Sequence, residues 1–118
     1  MRSVLVVDDD PEFRKLAGQL LAASGLAVVG EAGSVAAALA AADRLRPSAA
    51  LVDVELPDGD GVTLARELVA LPWRPRVVLT SVDDDSTTTE EAQKAGAHAF
   101  VVKAELPDAP LARLLGGD

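Results

Sequence analysis

Five short apolar runs, separated by longer amphipathic stretches, constrain the fold of this chain more than any other feature. The runs are Val4–Val7, Leu26–Val29, Ala49–Val52, Val77–Leu79 and Ala99–Val102. They are apolar without alternation, as is typical of parallel strands that are covered on both faces. Strands that alternate with helices in this way predict an α/β fold, in which helices flank one parallel sheet.

The stretches between the runs carry the start and stop signals of helices. Apolar residues recur at helical spacing in the first stretch, and capping residues or prolines mark most of the ends. The predicted helices are Pro11–Ser24 (capped by Asp10), Val35–Leu45 (capped by Ser34), Gly61–Leu71 (capped by Asp60), Asp85–Ala95, and Asp108–Leu115 closed by Gly116 and Gly117. With right-handed crossovers, this pattern predicts a flavodoxin-like, doubly wound (βα)5 fold with strand order 2-1-3-4-5.

Composition narrows the class of protein. The 118 residues fit a single domain spanning residues 1–118, and the absence of cysteine excludes disulfides and cysteine-based zinc sites. The formal net charge of −8 argues against direct nucleic-acid binding, because such a surface repels phosphate backbones. No apolar run approaches the roughly 20 residues of a membrane span, and the N-terminus does not resemble a signal peptide. We therefore expect a cytoplasmic protein without a membrane contact.

Chemically active side chains follow the predicted strands at their carboxyl ends, where sites in doubly wound sheets lie. They are Asp8 and Asp9 after the first run, Asp53 after the third, Thr80 and Ser81 after the fourth, and Lys103 after the fifth. Clustered carboxylates without histidine or cysteine suit Mg²⁺, which prefers oxygen ligands. A carboxylate in such a site can act as a nucleophile and form an aspartyl phosphate, while a metal and a lysine neutralise charge.

Four motifs occur in order: VLVVDDDPEFR, RPSAALVDVELPDGDG, VVLTS and AGAHAFVVKAELP. Together they resemble the receiver domain of bacterial two-component response regulators, and the resemblance covers essentially the whole chain. It implies that Asp53 is phosphorylated, and that Asp8, Asp9, Asp53 and the backbone carbonyl of Glu55 bind Mg²⁺ or Mn²⁺. It also implies that Lys103 pairs with Asp53 and then with the phosphoryl group.

The resemblance further implies a switch that consists of a hydroxyl and an aromatic residue, the latter being Phe100. Two hydroxyls compete for the first role. The family's usual spacing selects Ser81, which lies 22 residues before Lys103, and Thr80 would then point to the other face of the strand. Thr80 remains the alternate. Ala104 stands where many family members have proline, which makes the connection after the fifth strand less predictable.

The implied function is a phosphorylation-dependent switch in a two-component or phosphorelay system. A sensor histidine kinase, a phosphotransfer protein or a small acyl phosphate would load Asp53, and the domain would catalyse only its own loading and hydrolysis. Phosphorylation would reshape the face formed by the fourth helix, the fifth strand and the fifth helix. That face would control a downstream target or a missing effector domain, or form a homodimer. The segments VVGEA and KAEL resemble receivers that precede a helix-turn-helix domain, which slightly favours a fragment of a longer regulator over a stand-alone receiver without deciding between them.

Two alternatives remain open at this stage. A phosphatase of the haloacid-dehalogenase type also uses a strand-end DxD motif, which Asp8 and Asp10 would match. That class needs a later acidic pair on a strand, whereas only Glu105, Asp108 and Asp118 follow the lysine. The second alternative is a pseudo-receiver, which would keep the fold as a binding module without being phosphorylated.

Overall fold

Five parallel strands form one sheet at the centre of the computed structural model, which describes residues 2–83 and 86–116. The elements, in chain order, are β1 (Ser3–Val7), α1 (Pro11–Ala23), β2 (Ala27–Ala32), α2 (Val35–Leu45), β3 (Ala49–Asp53), β4 (Glu55–Leu56), β5 (Gly59–Asp60), α3 (Gly61–Val69), β6 (Arg76–Ser81), α4 (Ser86–Ala95), β7 (Ala99–Val102), a 3-10 helix (Lys103–Asp108) and α5 (Leu111–Gly116). The sheet order is β2-β1-β3-β6-β7, which confirms the predicted 2-1-3-4-5 arrangement of the five main strands. Within the described ranges, no helix has the length and apolar character needed to cross a membrane.

The sheet separates two apolar clusters, and its strands contribute alternate residues to each. Leu5 and Val52 pack with residues of α2, α3 and α4 on one face. Val4 and Leu51 pack with residues of α1 and α5 on the other. Because both faces of β1 and β3 are covered, every residue of these runs is apolar, which explains the absence of alternation in the sequence.

Side-chain caps fix the starts of three helices as predicted. The Asp10 carboxylate accepts a hydrogen bond from Glu12 N–H at 3.0 Å, and the Ser34 hydroxyl accepts one from Ala37 N–H at 3.1 Å. The Asp60 carboxylate accepts one from Val62 N–H at 2.7 Å. Each cap satisfies an amide that has no partner inside its helix.

The connection after β7 differs from the prediction of a helix over Asp108–Leu115. A 3-10 helix occupies residues 103–108, and α5 begins only at Leu111. Leu106 of the 3-10 helix is buried, so this segment packs against the core. At the start of α5, the Pro110 carbonyl accepts a hydrogen bond from Leu114 N–H at 2.9 Å. Gly116 belongs to α5 instead of closing it. Gly117 and Asp85, the predicted start of α4, lie outside the described residues.

A short antiparallel hairpin, formed by β4 and β5, was not predicted and follows directly after β3. Its turn residue Asp58 accepts hydrogen bonds from Val35 N–H at 2.7 Å and from Ala36 N–H at 3.0 Å. These two amides lie at the first turn of α2. The hydrogen bonds, that from Ala36 first, hold the pKa of the Asp58 carboxyl below its ordinary value. The hairpin is thereby attached to a helix more than 20 residues earlier in the chain.

Gly61, the first residue of α3, provides a test of how tightly α3 is joined to β3. A Cβ atom at this position would overlap with the backbone carbonyl oxygen of Asp53, whereas one at Gly18 in α1 would meet nothing within 4 Å. We expect Gly61→Ala to lower the free energy of unfolding by about 2 kcal/mol or more, because backbone must move. Gly18→Ala should raise it by roughly 0.5–1 kcal/mol. Urea unfolding measures both, and equal stabilities for the two variants would contradict this packing.

Candidate functional site

The ammonium group of Lys103 joins two carboxylates at the carboxyl end of the sheet. Its Nζ lies 2.7 Å from Asp8 Oδ2 and 3.3 Å from Asp53 Oδ2. Because β7 is the edge strand beyond β6, the lysine side chain crosses the end of β6 to reach β3 and β1. The Nζ atom also lies 4.2 Å from the centroid of the Phe13 ring of α1, a cation–π distance. The structure therefore brings together three predicted site residues from three different strand ends.

Backbone amides hold both buried carboxylates in place. Asp8 Oδ1 accepts a hydrogen bond from Asp10 N–H at 2.9 Å, and Asp53 Oδ1 accepts one from Glu55 N–H at 3.2 Å. Asp8 is fully buried and Asp53 is 7% exposed. Charged groups this deeply buried are tolerated only with such partners.

The protonation of the site is set by burial and by the proximity of like charges. Burial, and then the negative charge of Asp8, raise the pKa of Asp53 from 3.8 to about 6, against the opposing effects of the Glu55 amide and Lys103. Burial alone would lower the pKa of Lys103. The hydrogen bond to Asp8 and the charges of Asp53 and Asp8 outweigh it, so the pKa of Lys103 rises. Lys103 is therefore positively charged at neutral pH, and Asp53 with its pKa of about 6 loses its proton just below neutral pH.

Three carboxylates form a group that fits a divalent cation. One oxygen each from Asp8, Asp9 and Asp53 lies within 4.8 Å of the others, with Asp9 exposed to solvent. One lysine cannot neutralise three carboxylates, so the group retains negative charge. Oxygen-only ligands with an open, hydrated side are what Mg²⁺ requires. The predicted metal-binding residues are thus brought together, and Glu55 follows Asp53 closely enough to hydrogen-bond with it.

Thr80 and Ser81 point to opposite faces of β6. Asp53 lies opposite Thr80 in the register of β3 and β6, and paired residues of parallel strands share a face. Leu51 and Val78 lie on the same face and share one apolar cluster. Thr80, rather than Ser81, therefore has the orientation of Asp53, which differs from the orientation expected from the spacing to Lys103. The functional role of either hydroxyl stays a prediction.

The two hydroxyls also differ in their hydrogen bonds. Thr80 is fully buried, and its Oγ1 has no hydrogen-bond partner among the residues that the structure describes. Ser81 Oγ accepts a hydrogen bond from Asp83 N–H at 3.3 Å. A buried hydroxyl without a partner is energetically costly and available to a new acceptor.

Phe100 lies half-buried on β7, on the face opposite to the carboxylates, where it packs against the cluster formed with α2, α3 and α4. It also lines a groove of about 320 Å³ between β7, the 3-10 helix and α5, together with Val101, Pro110 and Leu114. The residue predicted as the switch aromatic thus has both a buried and an accessible side.

Arg14 supports the site, although sequence reasoning assigned it no role. Its Nη1 donates to the backbone carbonyl of Asp8 at 2.5 Å, and its Nε donates to Glu31 Oε1 at 2.8 Å. The arginine thereby connects the end of β1 with the end of β2. The signal in the sequence was that Glu31 is the one ionisable residue at the end of the second run.

The DxD alternative does not match this geometry. Asp10 is exposed and caps α1, so it stands apart from the group formed by Asp8, Asp9 and Asp53. Glu105 and Asp108 lie in the 3-10 helix instead of on a strand. The acidic pair that a phosphatase of that class requires is therefore missing from the described part of the chain.

Known sequences that are similar to this chain include a receiver-domain family and proteins that are longer than the chain. The family model "Response regulator receiver domain" matches residues 4–114. The chain is 44% identical over 105 residues to the DNA-binding transcriptional activator DevR/DosR of Mycobacterium tuberculosis, covering 87% of this chain and 48% of the relative. It is 37% identical over 109 residues to protein-glutamate methylesterase/protein-glutamine glutaminase 4 of Myxococcus xanthus, covering 91% of this chain and 31% of the relative. The chain thus spans less than half of the length of each of these relatives.

Solved structures resemble the whole chain. The signal receiver domain of the putative response regulator NarL from Mycobacterium tuberculosis superposes with a TM-score of 0.82 at 35% identity, over 93% of both chains. The BeF3-activated N-terminal receiver domain of Klebsiella pneumoniae RstA superposes with a TM-score of 0.83 at 31% identity, over 95% of this chain and 94% of that one.

The raised pKa of Asp53 predicts a pH-dependent stability difference. A carboxyl whose pKa is higher in the folded chain than in the unfolded chain binds its proton more tightly when folded, so stability falls as pH rises from about 4 to about 6. Asp53→Asn removes this penalty and should raise the free energy of unfolding at pH 7.5 by on the order of 1–3 kcal/mol.

The gain from Asp53→Asn should shrink as the pH approaches 5, and urea unfolding at both pH values measures it. Asp43→Asn, which changes an exposed carboxyl on α2, serves as the matched control and should show no such trend. A gain for Asp53→Asn that is the same at both pH values would show that the carboxyl is not strained by burial.

Proposed function

The chain belongs to the response regulator receiver domain family, the phosphorylation-dependent switches of two-component signalling, and on this premise we propose that Asp53 is its phosphoacceptor. The single observation that carries the proposal is the position of Asp53, which shares Lys103 with Asp8 and lies in a group of three carboxylates. We extend the proposal to the domain boundaries: residues 1–118 act as one receiver in the cytoplasm, and output resides in another domain or protein.

The proposed reaction needs an ionised nucleophile, a phosphoryl donor and charge neutralisation. With a pKa of about 6, Asp53 is mostly ionised at pH 7. One of its carboxylate oxygens attacks the phosphorus of the donor, and the bond from phosphorus to the donor's leaving atom breaks with its electron pair. Lys103 then donates a hydrogen bond to a phosphoryl oxygen. Mg²⁺ or Mn²⁺, held by Asp8, Asp9, Asp53 and the Glu55 carbonyl, supplies further positive charge when bound. Hydrolysis returns Asp53 to the carboxylate, so the chain acts on itself and turns over no separate substrate.

We assign the switch hydroxyl to Thr80. Three observations support this choice over Ser81: the shared face with Asp53, complete burial, and an Oγ1 without a hydrogen-bond partner among the described residues. A phosphoryl group on Asp53 would give this hydroxyl an acceptor. Phe100 lies on the opposite face of the sheet, the face of Leu79 and Ser81, so a movement of Thr80 towards Asp53 would reach Phe100 through the paired backbones of β6 and β7.

The proposed output surface is the face formed by α4, β7 and α5. Its support is the groove of about 320 Å³ between β7, the 3-10 helix and α5, which Phe100 and Leu114 line together with Glu105 and Asp108. Sensor histidine kinases or phosphotransfer proteins would act upstream, and the face would contact an effector or form a homodimer. Since a relative is named a DNA-binding transcriptional activator and this chain matches 48% of it, an effector that binds DNA is our preferred downstream partner.

Phosphorylation of Asp53 can be tested by intact mass spectrometry after incubation with acetyl phosphate and Mg²⁺. Wild-type protein should gain one phosphoryl group, and Asp53→Asn should gain none. Asp43→Asn should behave like the wild type, because its carboxyl lies on the exposed surface of α2. An unmodified wild type that also fails to bind Mg²⁺ at millimolar concentrations would favour a pseudo-receiver instead.

The assignment of Thr80 predicts that two neighbouring variants behave differently. Thr80→Ala should still be phosphorylated, but should lose most of the amide chemical-shift changes that phosphorylation causes along β7. Ser81→Ala should keep them, and Thr80→Ser should restore them because it retains the hydroxyl. NMR spectra recorded with and without acetyl phosphate and Mg²⁺ measure this. The reverse pattern would return the role to Ser81.

A further inference from the structure

A second cavity, of about 390 Å³, lies at the amino end of the sheet, opposite to the carboxylates. Four of the chain's eight arginines line it: Arg2, Arg46, Arg74 and Arg76. They precede or begin β1, β3 and β6, which are neighbours in the sheet. Among residues 2–83 and 86–116, no acidic side chain lines the cavity. A chain with a net charge of −8 thus gathers half of its arginines at one place.

The positive charge of these arginines is not offset by carboxylates among the described residues. In the described part of the chain, none of the four forms a salt bridge with a carboxylate. Arg76 instead contacts the imidazole of His98, with 2.5 Å between Nη1 and Nε2. Because like charges repel at short range, such a cluster raises the free energy of the folded chain unless an anion offsets it.

The backbone around the cavity is also unusual. Arg46 and Arg74 are the described non-glycine residues with positive φ, both at 46°, and both line the cavity. The left-handed conformation is uncommon for such residues and costs free energy. Arg46 takes this conformation as the C-cap of α2, where its N–H donates to the Ala42 carbonyl at 2.8 Å, and the Arg74 N–H donates to the Leu71 carbonyl at 2.9 Å. The chain reversals at these two positions place both arginines at the cavity.

Trp73 gives the cavity a rigid wall. Its Nε1 donates to the Pro47 carbonyl at 3.0 Å, and the Arg46 guanidinium lies 5.1 Å from the centroid of its ring. The ring thus supports the Arg46 guanidinium at a cation–π distance. Leu115 of α5 adds an apolar contribution to the lining. A preorganised guanidinium binds an anion with less loss of side-chain entropy than a mobile one.

We propose that this cavity binds a small molecule that carries a diphosphate group, either free pyrophosphate or a nucleoside diphosphate. A guanidinium pairs with phosphate oxygens in a two-pronged arrangement, and four of them match the charge of two linked phosphates. The cavity volume is that of a small-ligand site. This site is separate from Asp53 in position and in the charge of its ligand set, so it stands independently of the proposed phosphorylation.

The chain contains one tryptophan and no tyrosine, so its intrinsic fluorescence reports directly on this cavity. Titration with pyrophosphate, without a divalent cation, should give a saturable change in Trp73 emission with a dissociation constant on the order of 0.1–1 mM. Isothermal titration calorimetry with ADP and with adenosine distinguishes the two sources. Tighter binding of ADP than of pyrophosphate assigns the site to a nucleotide, equal binding assigns it to free diphosphate, and adenosine should not bind.

Matched double variants separate a site from general charge attraction. Arg74→Gln with Arg76→Gln should weaken pyrophosphate binding at least about tenfold. Arg44→Gln with Arg66→Gln removes the same charge from exposed positions on α2 and α3, and should change binding less than about twofold. If the first double variant does not fold, the single variant Arg2→Gln can be measured in its place. It should also weaken pyrophosphate binding. Asp53→Asn should bind as the wild type does.

Three results would overturn the proposal. The first is an equal loss of pyrophosphate affinity in the two double variants. The second is that sulfate at equal ionic strength causes the same change in Trp73 emission as pyrophosphate. The third is that neither pyrophosphate nor ADP binds, while a short DNA duplex binds through the same arginines. The last result would assign the arginines to a nucleic-acid backbone.

Discussion

One ammonium group, that of Lys103, sets the arrangement of the carboxyl end of the sheet. It lies within 3.3 Å of carboxylates from β1 and β3, although the three residues are up to 95 positions apart in the chain. Without a positive charge between them, two buried carboxylates would repel each other or take up a proton. The sheet order β2-β1-β3-β6-β7 brings these strand ends close enough for one lysine to contact both carboxylates. The fold and the site therefore depend on the same pairing.

The sequence predicts what local chemistry decides. Capping residues such as Ser34 and Asp60 act within three residues, so the helix starts that they mark were predicted correctly. The apolar runs located the strands but not all of their ends, because β2 continues to Ala32 beyond the predicted Val29. The end of α3 also differs, at Val69 instead of Leu71. The predicted structure of the connection after β7 was wrong because it depends on the burial of Leu106, a tertiary contact that the local sequence does not indicate. The orientation of Thr80 and Ser81 depends on strand register, since a shift of one residue exchanges the faces. The number of residues between a hydroxyl and Lys103 therefore cannot determine which face of β6 that hydroxyl occupies.

The charge of this protein is distributed unequally between the two ends of its sheet. Carboxylates gather at the carboxyl ends of the strands, where Lys103 and a hydrated cation would offset them. Arginines gather at the amino ends, where the described residues offer no carboxylate to offset them. A formal net charge of −8 describes neither end. Binding properties inferred from total charge alone would therefore miss a surface whose local charge has the opposite sign.

The two sides of Asp53 are not equally stiff. On one side, the hairpin that follows it is fastened to the first turn of α2, because Asp58 accepts hydrogen bonds from two helix amides. On the other side lies Thr80, whose hydroxyl is committed to no partner among the described residues. A displacement of Asp53 would therefore be opposed by hydrogen bonds on the hairpin side, whereas the Thr80 hydroxyl offers none on the other side within the described part of the chain. A displacement that begins at Asp53 would accordingly break fewer side-chain hydrogen bonds towards β6 than towards α2.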